Sequence, residues 1–494
     1  MHTLRQHLAQ RDSVELRIIA QNQGLPPDDG EADDFLAALM QQMLQPEHVR
    51  EVWGDLSEEA RRTLAELARQ ESGIPAPAFQ RRFGELRRIG PGRLQSEQPW
   101  KTPTGPGETL WWLGWLTRGF RKTPEGMIEY IGIPEELTPL LPLDEITLNA
   151  EPPALSPLPA PPAQRDLGEL LLDDLGTILA YVQNHQVWLR SNGRWRMKDL
   201  QRLLPRLRLT RVRQQPLEAG GPLHLLFFIA KKQRLLVERK RQQRFGKALR
   251  PWLEGSRGEQ MRSLFQTWRE AEAWNDLCLT PGLRCQEGSW RNDPVLARNN
   301  LLARLSDLEP GQWFSLDALI ALIYEHFPDF QRPDGLYNTW YIQNAAGDFL
   351  HGFEHWPAVE GRLIRYIWQG PLFWLGAVAL DDAGDAWSLT PRGGAFLQEE
   401  PPEESPLSSP ILRVDRDFTI VLAPHIGLWD RLRVALFSFW QASEPDYRYR
   451  ITRRSLQRAV RRGVSVGRIL EFLQRASGDT LPANVRKALE TFTP

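Results

Sequence analysis

The chain of 494 residues contains only two cysteines, Cys278 and Cys285. Two cysteines exclude a framework of several disulfides, and no second Cys/His pair flanks them to complete the four ligands of a structural zinc site. We therefore expect two free thiols that are either buried or incidental. We also expect no bound metal and no other cofactor.

The chain also lacks a loop of the form G-x-x-x-x-G-K-[ST], which holds the phosphates of ATP. Two Gly-Pro-Gly segments, 90–92 and 105–107, have no following Lys-Ser/Thr, and we interpret both as plain loops. No G-x-S-x-G elbow of a serine hydrolase occurs either. The sequence therefore predicts a protein that is not an enzyme and does not hydrolyse ATP.

One motif resembles a metal site. His351, Glu354 and His355 follow the H-x-x-E-H order of inverted zinc peptidases. That chemistry requires a helix, but Gly352 lies inside the motif and Pro357 disfavours helix at the residue before it. We expect a local packing or hydrogen-bonding role, with a zinc peptidase as the weaker alternative.

Long apolar runs are missing as well. The first residues are polar, and no run approaches the roughly 20 apolar residues that cross a bilayer. We expect a cytoplasmic protein without membrane contact.

Two proline-rich stretches divide the chain. Residues 143–166 contain six prolines between 152 and 162, and residues 399–410 combine proline with acidic side chains. Such compositions favour extended chain, so we interpret both as linkers. The predicted domains are an N-terminal helical region with a first unit (1–142), a basic second unit (167–262), a third unit (263–398) and a C-terminal module (411–494).

Each of the three units shows short amphipathic helices followed by a hairpin pattern. In the second unit, Leu175, Ile178, Leu179 and Val182 form a helical stripe, and 187–189 has the pattern of a short strand. A hairpin is predicted around Arg239 to Arg244, with its two strands at 236–238 and 245–249. Helices followed by a hairpin are typical of a winged helix, although irregular α+β packing fits the short strands equally well. We predict an α+β fold, mostly helical, with tandem winged-helix-like units and a small α/β C-terminal module.

Positive charge is concentrated in the second unit. Residues 178–262 contain twenty Lys/Arg and five Asp/Glu, a local charge of +15 in a chain of net charge −1. Such a field attracts polyanions. The predicted phosphate contacts here are Arg202 and Arg206 on the second helix and Arg239, Lys240, Arg241 and Arg244 on the hairpin. The third unit differs, because Asp381, Asp382 and Asp385 at its predicted hairpin would repel phosphate.

The C-terminal module has recognisable sequence blocks. They are a β segment ending Phe418-Thr419-Ile420-Val421, the block Tyr-x-Tyr-x-Ile-Thr-x-x-Ser-Leu at 447–456, and a helix with Ile469 and Leu473. These blocks resemble the N-terminal, damage-recognition-like domain of XPB-type DNA helicases. The region before them, notably 340–397, is similar to bacterial proteins that carry this domain without a helicase motor. The resemblance implies DNA engagement and partner contacts, and supplies no catalytic residues.

A helix predicted at 452–462 carries a second basic surface. At 100° per residue, Arg454, Arg458, Arg461 and Arg462 share one face, while Leu456, Ala459 and Val460 lie opposite. The arginine face is either a further phosphate contact or a solvated surface that pairs with acidic linker residues.

The function predicted from sequence is a non-enzymatic DNA-associated accessory protein that binds the phosphate backbone of duplex or forked DNA. A helicase or another protein is the expected second partner. The alternative is a scaffold subunit of a repair or defence assembly that binds proteins and no nucleic acid.

Overall fold

The fold was obtained as a computed structural model. The structure describes residues 3–26, 32–70, 73–123, 126–145, 154–209, 218–288, 290–403, 410–423 and 425–493. Parts of both predicted linkers, and Arg211 and Arg213 of the basic unit, lie outside these residues.

The chain forms two compact units. The first unit comprises Met1–Ala154, Cys285–Asn292 and Leu322–Trp356, and the second comprises Leu155–Arg284, Asp293–Ala321 and Pro357–Pro494. Helix accounts for 48% of the structure and strand for 13%, in small sheets, which confirms the predicted mostly helical α+β class. Within the described ranges, no helix has both the length and the apolar character needed to span a bilayer.

The described residues of the first unit open with eight helices and a hairpin. The helices are α1 (Leu4–Ala9), α2 (Ser13–Asn22), α3 (Ala32–Met43), α4 (Pro46–Asp55), α5 (Glu58–Ala68), α6 (Ala76–Phe83), α7 (Pro91–Glu97) and α8 (Pro106–Trp112). The strands are β1 (Ile74–Pro75), β2 (Thr117–Thr123) and β3 (Gly126–Gly132). They form an antiparallel sheet in the order β1-β3-β2, which confirms the predicted hairpin.

The two Gly-Pro-Gly segments are not plain loops, so that prediction was wrong. Pro91 and Pro106 are the first residues of α7 and α8, and each preceding glycine occupies the N-cap. Proline suits this position because its fixed φ is already helical and the first amides of a helix have no intrahelical partner.

The rest of the chain supplies fourteen helices and twelve strands among the described residues. Its helices are α9 (Leu170–Asn184), α10 (Met197–Leu203), α11 (Pro222–Lys232), α12 (Leu249–Glu254), α13 (Arg257–Arg269), α14 (Asp276–Leu279), α15 (Pro294–Leu302), α16 (Leu316–His326), α17 (Arg362–Ile367), α18 (Pro391–Leu397), α19 (Leu428–Phe437), α20 (Arg453–Arg461), α21 (Val466–Ala476) and α22 (Ala483–Glu490). Its strands are β4 (Gln164–Arg165), β5 (Leu236–Arg239), β6 (Gln242–Phe245), β7 (Arg284–Cys285), β8 (Trp313–Ser315), β9 (Ile342–Gln343), β10 (Val378–Asp381), β11 (Ala386–Leu389), β12 (Leu412–Val414), β13 (Thr419–Leu422), β14 (Phe439–Ala442) and β15 (Arg448–Arg450).

The basic segment 167–262 has the order α9, extended segment 187–189, α10, α11 and the β5–β6 hairpin, followed by α12 and the start of α13. The extended segment lies against β6, because Gln243 N donates to Val187 O at 2.9 Å and Leu189 N donates to Arg241 O at 2.8 Å. The pairing order is therefore 187–189, β6, β5. The short strand is confirmed, and the hairpin forms as predicted except that its second strand lies at 242–245 instead of 245–249.

The third segment repeats this arrangement. A helix (α15) precedes the short strand β8, and helices α16 and α17 precede the hairpin β10–β11. The sheet order is β4-β10-β11-β8, so the short strand again pairs with the second hairpin strand. Segments 58–132, 170–245 and 294–389 thus share the order of a helix, a short strand, further helices and a hairpin, although the first contains one more helix (α7) and the third one more strand (β9).

The added strand β4 comes from the stretch predicted to be a linker. Leu380 and Asp381 of β10 are opposite Arg165 and Gln164. Leu158 N also donates to Trp313 O at 2.7 Å. The described residues 154–166 therefore contribute to the sheet of the third segment.

The C-terminal module packs on α9. Its sheet has the order β12-β13-β15-β14 and is antiparallel throughout, so the module is α+β and the predicted α/β description was wrong. Arg431 of α19 is 1% exposed and donates to Thr177 Oγ1 at 2.6 Å and to Asp173 O at 2.7 Å. Its guanidinium also lies 3.6 Å from the ring centre of Tyr447. Because these partners fix a buried charge, the module is firmly joined to the basic segment.

The prediction of free thiols was also wrong, since Cys278 and Cys285 are both disulfide-bonded. Six residues lie between them, and this spacing alone gave no sign of a disulfide.

Candidate nucleic-acid interface

The tip of the β5–β6 hairpin holds two basic residues in an unusual backbone conformation. Arg239 pairs with Gln242, leaving Lys240 and Arg241 as a two-residue turn. Their φ values are +49° and +57°, the pattern of a type I′ turn. Asn-Gly is the usual sequence there, because other residues cost of order 1 kcal/mol or more each with positive φ. Two long cations occupy the tip at an energetic cost.

All four predicted basic residues of the hairpin are exposed. Arg239 and Arg244 lie in the strands rather than in the turn, because the turn is shorter than predicted. Arg244 donates to the side chain of Gln242. Among the described residues, no carboxylate forms an ion pair with any of the four. The hairpin therefore presents four basic side chains to solvent against one exposed carboxylate, Glu238 of β5.

The two predicted arginines of the second helix differ in environment. Arg202 is exposed near the end of α10. Arg206 follows in a short 3₁₀ turn and lies half-buried, with its guanidinium 5.1 Å from the ring centre of Tyr181 and 4.9 Å from that of Trp440. Burial lowers the pKa of Arg206. Arg206 therefore packs into the fold, whereas Arg202 remains accessible.

The arginine face of α20 is divided in the same way. Arg454, Arg461 and Arg462 are exposed, and Leu456 and Ala459 are buried as the helical periodicity predicted. Arg458 is half-buried and donates to the carbonyls of Ala435, Leu436 and Ser438 at 3.3, 3.3 and 2.8 Å.

These carbonyls lie at the end of α19, where the last turn of a helix has no intrahelical donors. Burial, followed by the charges of Arg462 and Arg454, lowers the pKa of Arg458 to about 10. Arg458 therefore caps α19.

Two predicted basic sets that are distant in sequence meet at one small cleft. Arg206 and Arg458 both line a cavity of about 70 Å³ together with Asn184 and His185. Arg462 Nη1 donates to Asn184 Oδ1 at 3.3 Å. Burial lowers the pKa of His185, and the charges of Arg206, Arg458 and Arg202 lower it further, whereas its contact with the Tyr181 carbonyl opposes the shift. The structure thus brings the basic segment and the C-terminal module together at a cationic cleft.

A larger cavity was not predicted from sequence. It has a volume of about 440 Å³ and lies between the 189–195 turn, α11 and the hairpin strands. Its lining is mostly apolar and aromatic, and its charged residues are three basic and two acidic side chains. The sequence offered the adjacent pair Phe227 and Phe228 and the Ser-Asn-Gly turn at 191–193, but the two are far apart in the chain and nothing in the pattern showed that they line one space.

The acidic residues of the third hairpin are engaged within the fold. The Asp381 carboxylate accepts from Gly384 N at 2.7 Å and Ala386 N at 3.0 Å. Asp385 lies 3.3 Å from Arg365, and Asp382 lies 3.8 Å from Arg165. The hairpin was predicted at these residues. Its carboxylates stabilise its own turn and form ion pairs with neighbouring arginines.

The H-x-x-E-H segment is not an α-helix. Phe353–His355 forms a 3₁₀ turn, and Gly352 has φ +92°. The His351 ring packs 5.4 Å from Phe349 and 5.8 Å from Tyr341, measured between ring centres. In the part of the chain that the structure describes, no group of three or more His, Cys, Asp or Glu side chains could hold a metal ion.

The chain matches no known protein-family profile and no curated protein sequence.

Proposed function

We propose that this protein is a non-enzymatic, DNA-associated accessory protein that binds the phosphate backbone through the β5–β6 hairpin. The observation that carries the proposal is the Lys240-Arg241 turn. A residue pair that is unfavourable for the backbone but exposes two cations is readily explained by a function for those cations. The local charge of +15 supplies the attraction that brings a polyanion to this surface.

We further propose that the three repeated segments are winged helices. Their common strand order, in which the short strand pairs with the second strand of the hairpin, supports this assignment. The β5–β6 hairpin would then be a wing, and α11 would occupy the position of a recognition helix. Because the partly exposed middle of α11 carries Phe227 and Phe228, which cannot hydrogen-bond to the base edges of a paired duplex, the expected contact with duplex DNA is with phosphates.

The C-terminal module adds a second contact in this proposal. Its sequence blocks resemble the N-terminal domain of XPB-type helicases, whose motor has no counterpart in the present sequence. Arg454, Arg461 and Arg462 are exposed and suited to phosphate, as is Arg202. Arg206 and Arg458 are assigned to the fold because their guanidinium groups already have partners.

A scaffold that binds proteins is the second candidate, and one observation favours it. In the first unit, Phe120 and Met127 on the β2–β3 hairpin are each 65% exposed. Large apolar side chains on an exposed hairpin are typical of protein contacts. This surface is compatible with the DNA proposal, because a helicase or another protein could bind it while the β5–β6 hairpin binds DNA.

The test is direct binding of the purified chain to duplex, forked and single-stranded DNA over a salt series from about 50 to 200 mM. We expect affinity to fall steeply as salt rises, because bound phosphates release counterions. ATP hydrolysis should remain absent with and without DNA. Absence of DNA binding at the lowest salt, together with recovery of an acidic protein in a pull-down, would favour the scaffold.

A further inference from the structure

We infer that the 440 Å³ cavity beside the hairpin receives an unpaired nucleobase, so that the preferred ligand contains a single strand or a fork. This inference rests on the proposed function and specifies its substrate class. The cavity lies in the same segment as the basic hairpin and shares the hairpin strands as one wall, since Leu236 and Gln243 line it. A strand held on the hairpin by its phosphates would therefore lie next to this opening.

The floor of the cavity provides flat aromatic surface. Trp195 and Phe227 lie 5.0 Å apart between ring centres, and Phe228 lies 5.2 Å from Trp274. Trp195 is 4% exposed, whereas Phe227 and Phe228 are half-buried and so partly open to the cavity. Aromatic side chains of this kind stack with any base, because every base has a π face.

The polar groups at the cavity fit a nucleotide. Three basic residues exposed at its edge outnumber the two carboxylates that also line the cavity, so the edge keeps the positive charge that a flanking phosphate requires. The basic residues are Arg190, Arg194 and Lys231, and the carboxylates are Glu218 and Glu238. His224 also lines the space. Its Nδ1 accepts from Gly220 N at 3.0 Å, so the neutral ring carries its proton on Nε2 and remains a donor there.

Burial lowers the pKa of His224, and the charge of Arg194 lowers it further. The ring is therefore neutral near pH 7. A neutral donor suits the acceptor atoms of a base edge, while the arginines meet the phosphates. An apolar peptide would leave these cations and this donor without partners, which favours the nucleotide over the peptide.

The orientation of one wall is fixed before binding. Gln243 Oε1 accepts from Trp195 Nε1 at 3.2 Å, and Gln243 Nε2 donates to Val237 O at 3.1 Å. Because Gln243 belongs to β6, these bonds tie the aromatic floor to the hairpin. A base in the cavity and a phosphate on the hairpin would be held in one geometry.

The experiment uses the full chain and a short DNA strand with a single 2-aminopurine. Stacking in the cavity should quench the fluorescence of the probe, and anisotropy should show tighter binding to single-stranded or forked DNA than to duplex. Phe227→Leu keeps an apolar side chain but removes the stacking ring. We expect this variant to lose about tenfold in affinity for the single strand, to leave duplex binding unchanged and to abolish quenching.

Two controls separate stacking from misfolding. Phe227→Tyr retains the ring and should restore binding and quenching. Phe120→Leu removes an exposed ring from the other compact unit and should change neither. An abasic site in place of 2-aminopurine should cost the wild type about as much affinity as Phe227→Leu does, and should cost the Leu variant nothing further.

The outcomes also distinguish this inference from the function on which it rests. Duplex and single strand bound equally, with no effect of Phe227→Leu, would overturn the nucleobase site and leave backbone binding intact. Displacement of the strand by micromolar AMP would mean that the cavity takes a free nucleotide, and the strand assignment would be wrong. Absence of any DNA binding would overturn both proposals.

Discussion

The second and third repeated segments share one order of strands in the sheet, but the charged residues of their hairpins differ in sign and in contacts. The second hairpin exposes Lys240 and Arg241 in a turn of positive φ, without ion-pair partners among the described residues. In the third hairpin, Asp381 accepts two backbone amides of its own turn, and Asp385 pairs with Arg365. The hairpin of the third segment thus uses its charged residues to stabilise its own turn. The β5–β6 hairpin leaves its charged residues exposed, in a turn whose backbone conformation is unfavourable for them. The difference indicates that the arrangement of strands supplies a platform, whereas the residues at the tip decide what it contacts.

The largest expected effect comes from removing charge from the second hairpin. Changing Arg239, Lys240, Arg241 and Arg244 together to Ala should flatten the slope of log K against log salt by up to about 3–4 units, since each phosphate contact contributes about 0.9. Affinity should fall alike for all sequences. The measurement is anisotropy with labelled duplex over a salt series.

The third hairpin provides the matched control. Asp382→Asn removes an exposed acid there and should leave the salt slope within about one unit of the parent. An unchanged slope in the quadruple variant would remove the hairpin from the interface.

The second prediction concerns a variant in which the turn of the β5–β6 hairpin has the usual sequence of a type I′ turn. Replacing Lys240-Arg241 with Asn-Gly should stabilise the segment by about 1 kcal/mol or more, because Asn and Gly tolerate positive φ. The same change should reduce the salt slope by about 2 units. Thermal unfolding and DNA binding of one variant would thus move in opposite directions. Lower thermal stability would contradict the strained turn.

The third prediction concerns the two kinds of arginine on α20. Arg458→Ala should destabilise the C-terminal module by about 2 kcal/mol, because three carbonyls at the end of α19 lose a charged donor. Arg461→Ala should have no measurable effect on stability, since its side chain is exposed. Chemical denaturation followed by circular dichroism measures both.

For DNA binding we expect the opposite order. Loss of the exposed Arg461 should weaken binding, whereas loss of the capping Arg458 should affect binding less than it affects stability. Arg454→Glu with Arg461→Glu should weaken binding modestly and add to the effect of the hairpin variant. Equal stability of Arg458→Ala and Arg461→Ala would show that the capping contacts contribute little.

The smallest expected effect is a pH dependence from His185. Burial lowers its pKa below the ordinary value of 6.5, so the unfolded chain takes up a proton first as the pH falls. The stability of the folded state should therefore decline below about pH 6.5 and through the lower folded pKa. His185→Gln should flatten this decline when melting temperature is measured from pH 8 to pH 5. A decline of the same size in both proteins would assign it to other groups.

Sequence periodicity predicted many of the elements but not the partners of individual side chains. The stripe at Leu175 to Val182 predicted α9, and the spacing on α20 predicted which residues are buried. The hairpin strand predicted at 245–249 lies instead at 242–245, because the Lys-Arg turn breaks the usual preference and gave no signal. Arg206 was predicted to face outward with Arg202.

Instead, α10 ends at Leu203 before Pro205 and the 3₁₀ turn. The guanidinium of Arg206 then packs against the rings of Tyr181 and Trp440. Such tertiary partners have no trace in the local pattern. The aromatic cavity was missed for the same reason, since its walls come from three separate elements.

Strand β4 has a consequence for how the protein is made. It pairs with β10, and Arg165 donates to Asp381 O from 216 positions earlier in the chain. During synthesis, β4 leaves the ribosome before the basic segment does, and it stays unpaired until β10 has been synthesised. The sheet of the third segment cannot be completed until β11, which ends at Leu389, has been synthesised. Pairing across such a sequence distance slows folding. A fragment beginning at residue 263 would expose β10 as an unprotected sheet edge, the kind of edge that promotes aggregation.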